Sequence, residues 1–196
     1  MFTSNEEKQL VGSWEEAGVL REINPETLPL ASKALVFSCF DERYVSQWLD
    51  VINKNAAQKQ ERALPALFPV ICAGGPLVVA PSSPIHETCD HRGMVNLNVE
   101  TATVNGCRHA TLIGHYPCLG GQKFGIDLIH NVALLVVAKR WLNTMGIDAA
   151  IIFDVKEQET DPCHPRHLKA NEFETWCQKF RPDILVKHPG IVRRAA

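Results

Sequence analysis

Cys39, His115 and Cys118 are the residues of this 196-residue chain whose types and spacing point most directly to chemistry. Thiolate sulfur and imidazole nitrogen are the usual ligands of zinc, and a catalytic zinc takes three of them while leaving a fourth position for water. His115 and Cys118 stand three apart where an apolar run gives way to a loop, so both side chains can turn toward one ion. Cys39 arrives from the end of another apolar run. Taken singly, each has an ordinary reading as a small buried hydrophobe or a satisfied core histidine. Asp41 and Arg43 shift the balance, because a carboxylate and a guanidinium at a strand end can form a bidentate pair beside a metal and orient its ligands. The same pair on an open surface would contribute little. Cys-x-Asp-x-Arg together with His-x-x-Cys is far more specific than either part.

These residues need elements that bring them together. Ala34 to Phe37 is a continuous apolar run of strand length ending in Ser38-Cys39-Phe40-Asp41, which reads as a buried strand terminating in polar chemistry. Val45, Trp48, Leu49 and Ile52 follow at helical spacing. Leu67 to Cys72 is a second strand candidate, closed by Ala73-Gly74-Gly75-Pro76, and Ala110 to Gly114 is a third, running straight into His115. Val95, Leu97 and Val99 alternate with asparagines, so propensity leaves that segment open between strand and helix. Ile126 to Met145 is apolar on nearly every face and has Gly146 placed as a stop, which predicts a buried helix. Ala149 to Phe153 makes a fourth strand, and residues 171 to 180 a further helix. Strands alternating with helices predict an α/β domain with a mainly parallel sheet, whose sites form beyond the carboxyl ends of the strands. Residues 1 to 30, with a helix around Glu6 to Leu20, read as an arm ahead of a single domain over residues 31 to 196.

The paired motifs resemble those of the β-class carbonic anhydrases, Cys-x-Asp-x-Arg followed by Gly-His-x-x-Cys. Cys39-Phe40-Asp41-Glu42-Arg43 and Gly114-His115-Tyr116-Pro117-Cys118 stand here in that order, and Ala73-Gly74-Gly75 resembles the family's Ala-Gly element. The resemblance covers roughly residues 33 to 155. It implies that Cys39, His115 and Cys118 ligate Zn2+, and that Asp41, paired with Arg43, accepts a hydrogen bond from zinc-bound hydroxide or itself closes the fourth position in a resting form. Gly74 and Gly75 would line the substrate. The implied activity is reversible hydration of carbon dioxide to bicarbonate. Carbonyl sulfide or carbon disulfide as substrate, and a zinc protein without turnover, are the alternatives. The resemblance also implies a helix around Glu100 and a homodimer or higher homo-oligomer embraced by the N-terminal arm. Ile71-Cys72 replaces the family's usual Arg-Asn, Leu119-Gly120-Gly121 follows Cys118 where a glycine is usual, and the stretch from Cys39 to Ala73 is longer than the family pattern.

Composition narrows the partners. With 20 basic against 22 acidic residues and a net charge of −2, no global positive field exists to hold nucleic acid. The polar, acidic start from Met1 to Leu10 lacks a secretory pattern, and Val132 to Ala138 is far shorter than a membrane span, so a soluble, cytoplasmic protein is expected. Seven cysteines, an odd number scattered through such a chain, read as reduced thiols or ligands. His86-x-x-Cys89 lies in a loop with no apolar strand before it, and Cys163, His164 and His167 form a polar cluster suited at most to a peripheral ion. Cys-x-x-Cys, nucleophile-elbow and phosphate-loop motifs do not occur.

Overall fold

Four apolar runs become the long strands of one sheet. The runs Lys33–Cys39, His109–Tyr116 and Asp148–Val155 are mostly buried, which explains their continuous apolar pattern, whereas Ala66–Cys72 lies at the edge with Ile71 exposed. The computed structural model describes residues 4–23, 33–41, 44, 66–85, 91–156, 161–162 and 164–192. Strands β1 (Leu20–Glu22), β2 (Lys33–Cys39), β3 (Ala66–Cys72), β4 (His109–Tyr116), β5 (Asp148–Val155) and β6 (Arg166–Leu168) lie in the order β1-β6-β5-β4-β2-β3. The four long strands β3, β2, β4 and β5 are parallel. All of β4 except His109 is buried, as expected of a parallel strand covered on both faces. The mainly parallel sheet inferred from sequence holds for these four; β6 and β1 make an antiparallel edge, so the whole sheet is mixed. Three-residue strands carry too few positions to show a period, and neither was legible beforehand.

Helices α1 (Asn5–Glu16), α2 (His91–Val104), α3 (Leu119–Gln122), α4 (Leu128–Thr144), α5 (Ala170–Phe180) and α6 (Pro182–Lys187) surround the sheet. In α2, Val95, Val99 and Ala102 are buried at i, i+4 and i+7, whereas Leu97 is 64% exposed. Packing at helical period therefore overrides the local strand-like alternation. Helix α4 is the buried helix expected from its composition. Asp127 caps it by accepting from the His130 amide at 2.9 Å, and Gly146, at φ +75°, lets the chain turn away as Ile147 donates to the Leu142 carbonyl at 3.1 Å.

Helix α1 is held by a reciprocal cap in which Ser4 Oγ accepts from the Glu7 amide and Glu7 accepts from the Ser4 amide. Its Trp14 is fully buried, edge-on to Phe173 and Trp176 at 5.8 Å from each. With β1 paired to β6, residues 5 to 22 of the N-terminal arm pack on their own chain. The helix inferred over residues 45 to 52 lies outside the described residues. Among the described residues no helix is long and apolar enough to cross a membrane.

Candidate metal centre

Parallel register places the carboxyl ends of β2, β3 and β4 side by side. Cys39 ends β2, opposite Cys72 at the end of β3, while β4 runs through His115 into a loop carrying Cys118. The three inferred ligands come together there, all buried, with their ligand atoms within 4.8 Å of one another. The sulfurs of Cys39 and Cys118 are 4.0 Å apart. Tetrahedral zinc with Zn–S bonds of about 2.3 Å requires a sulfur separation of about 3.8 Å.

The orientation of His115 is set by its partners. Its Nδ1 is 3.1 Å from the Pro117 carbonyl, and a carbonyl oxygen only accepts, so Nδ1 carries the proton. The lone pair is thereby left on Nε2, which is buried without a protein partner. This is the tautomer that a histidine ligand needs, enforced by a hydrogen bond from the opposite nitrogen. Tyr44 packs on the imidazole with ring centroids 3.9 Å apart, and its hydroxyl donates to the Tyr116 carbonyl at 3.1 Å. From α4, Asn131 Nδ2 donates to the His115 carbonyl at 3.3 Å.

Backbone amides complete the surroundings of the two sulfurs. The Asp41 N–H supports Cys39, and the Gly120 and Gly121 N–H groups support Cys118. In the metal-free pair the Cys118 thiol donates to Cys39 and, against the opposing effect of burial, holds it down at about 4. Cys118 is correspondingly pushed up, as the member that keeps the shared proton. The donor set fits zinc: two sulfurs, one of them already a thiolate, and a neutral imidazole nitrogen with no other use. Cys72, though adjacent in register, is a different case. Burial first and the Cys39 charge second push it up to about 11, and its thiol faces the Gly75 carbonyl at 3.7 Å.

Two glycine contacts close the centre. Gly75 has φ +51°, and a Cβ there would lie 2.3 Å from the Cys39 amide nitrogen; a Cβ on Gly120 would lie 2.4 Å from the Gly74 nitrogen. The loop after β3 is thus wedged between the two ligand-bearing loops, a packing role for Gly74 and Gly75. Asp41 is 5% exposed, and its carbonyl accepts from the Tyr44 amide at 3.0 Å. Arg43 lies outside the described residues, as do His86, Cys89 and Cys163. His167 sits on β6 and lines a cavity of about 620 Å³ with His109, Lys139 and Asp148, at the amino ends of β4 and β5 and away from the cluster. His164 donates its backbone N–H to Asp154. Cys107 and Cys177 are fully buried core residues. Tyr44 was not singled out from the sequence. Asn131 had a visible signal, an amide just before the long apolar run of its helix.

No family model, curated protein or solved structure matches this chain. The chemistry of the centre itself therefore carries the functional reading.

Proposed function

We propose that this protein is a zinc-dependent carbonic anhydrase of the β-class type, hydrating carbon dioxide reversibly to bicarbonate and a proton. The observation that carries the reading is the buried Cys39, His115 and Cys118 cluster, with His115 Nε2 lacking any protein partner. It lies beyond the carboxyl ends of parallel strands, where α/β sheets place their sites. The motif order that resembles the family converges on this one point.

Cys39 and Cys118 as thiolates would neutralise the charge of the ion, and His115, locked by Pro117, would supply the third ligand. When bound, zinc acts as a Lewis acid that brings the pKa of a coordinated water to about 7. Asp41, buried two residues beyond Cys39, is the residue assigned to accept the hydrogen bond of the attacking water and so aim its lone pair at carbon dioxide. Arg43 is assigned as its ion-pair partner, keeping the carboxylate off the metal. Exclusion of bulk water is provided by the burial of all three ligands and by the Tyr44 ring over His115. We extend the proposal to a β-carbonic-anhydrase-type arrangement of the α/β fold and to a homodimer or larger homo-oligomer. The five described cysteines are free thiols, which fits a reducing compartment such as the cytoplasm.

Stopped-flow carbon dioxide hydration by zinc-loaded protein, scanned in pH and accompanied by metal analysis, tests this. Turnover should be lost with the metal in Cys39→Ser. It should fall on the order of 100-fold with the metal retained in Asp41→Asn. A stoichiometric zinc protein inactive at every pH would overturn the hydratase reading; carbonyl sulfide and carbon disulfide would then be assayed before a non-catalytic role is accepted.

A further inference from the structure

A second group of nitrogen donors lies outside the cysteine centre. His188 follows α6 and is 5% exposed, yet neither of its ring nitrogens has a protein partner. His130, in the first turn of α4, faces it with ring centroids 5.3 Å apart, and the buried Nε2 of His130 is likewise unpartnered. The two rings do not hydrogen-bond to each other. Buried polar atoms are nearly always satisfied, so three orphan nitrogens at one place point to an absent ligand. Asp127 Oδ1 accepts from His130 Nδ1 at 2.7 Å, which puts the His130 lone pair on Nε2.

We propose that His130 and His188 bind a borderline divalent cation such as zinc, with Asp127 as the carboxylate that fixes the ligating tautomer of His130. Two imidazoles on one zinc, with Zn–N bonds of about 2.0 Å and a tetrahedral angle, put their centroids about 5.2 Å apart. The observed spacing matches. Backbone bonds hold His188 from both sides, its amide donating to Ile184 O at 2.8 Å and its carbonyl accepting from Ile191 at 3.0 Å. Remaining coordination positions belong to water entering past the exposed Asp127 side chain. Two neutral protein ligands make this a weaker site than the thiolate centre.

The test is metal stoichiometry by equilibrium dialysis of the full chain against micromolar free Zn2+, comparing wild type with His130→Gln and His188→Gln. Wild type should hold one more equivalent than either variant, whatever the occupancy of the thiolate centre, and the reading does not depend on carbon dioxide turnover. Long-range 15N–1H spectra of wild type, which require no variant to fold, should show the weaker equivalent shifting the His130 Nε2 and His188 nitrogens. Equal stoichiometry in wild type and variants, or unmoved nitrogens at saturating Zn2+, would overturn the proposal.

Discussion

Gly75 lies directly against the backbone of Cys39. A Cβ at Gly75 would approach the Cys39 amide nitrogen to 2.3 Å and its Cα to 2.8 Å, contacts that no side-chain rotation can relieve. Gly75 also has a left-handed backbone, which costs a residue with a Cβ about 1 kcal/mol before any clash is counted. Gly75→Ala should therefore lower stability by about 2 kcal/mol or more and displace Cys39, so that zinc content falls with it. Thermal denaturation and metal analysis check both effects. Gly12→Ala is the control: a Cβ at this position in α1 would meet nothing within 4 Å, so the change should be neutral or stabilising by up to about 1 kcal/mol with zinc unchanged.

The three candidate ligands were legible in the sequence because metal chemistry restricts residue type and the motif restricts spacing. Cys39, His115 and Cys118 needed no knowledge of the sheet beyond the apolar runs that precede them. The support around them was not legible in the same way. Tyr44 reaches His115 only because β2 and β4 are neighbours, a long-range fact that local pattern does not carry. Helix α2 shows the same limit, since residues 95 to 99 alternate like a strand and become helical through burial of Val95, Val99 and Ala102. Trp14 reaches its place beside Phe173 and Trp176 by an equally long connection.

Trp14→Ala should be among the most damaging substitutions away from the centre. The side chain is fully buried between α1 and the two α5 aromatics, and truncating such a residue costs about 3 to 5 kcal/mol. Chemical denaturation should show that loss. The zinc stoichiometry of the remaining folded fraction should be unchanged, since Trp14 does not contact the ligands.

Tyr44→Phe separates stacking from hydrogen bonding at His115. The phenylalanine ring can keep the 3.9 Å packing, while the hydroxyl bond to the Tyr116 carbonyl disappears. That carbonyl also accepts from the Lys156 amide at 3.0 Å, so it keeps a partner and the cost should be about 0.5 to 1 kcal/mol. Tyr44→Ala removes the ring as well and should weaken zinc binding about tenfold or more, as loss of an orienting neighbour does. Competition against a chelator measures the difference.

The metal-free cysteine pair makes a spectroscopic prediction. Cys39 is held at about 4 by the Cys118 thiol that donates to it, while Cys118 retains its proton. Ultraviolet thiolate absorbance of apo protein at pH 7 should therefore include one thiolate from this pair, lost only as pH falls through about 4. Cys72 and Cys177, pushed by burial up to about 11 and about 12, should contribute nothing at pH 7. Cys39→Ser should remove the acid-stable signal.

His188 ties stability to pH with a definite sign. Its folded pKa is depressed to about 4 by burial and by His130 and Lys187, with Asp127 acting in the opposite direction. An unfolded histidine titrates near 6.5, so between about pH 6.5 and 4 the unfolded chain takes up a proton that the folded chain refuses. The stability contribution is intact above about pH 6.5 and is lost as pH falls toward 4, by about 3 kcal/mol in total. Urea denaturation at stepped pH should show this slope in wild type and a reduced one in His188→Gln, which cannot take up the proton. An equal slope in the two proteins would place the acid sensitivity elsewhere, with the carboxylates as the next group to examine.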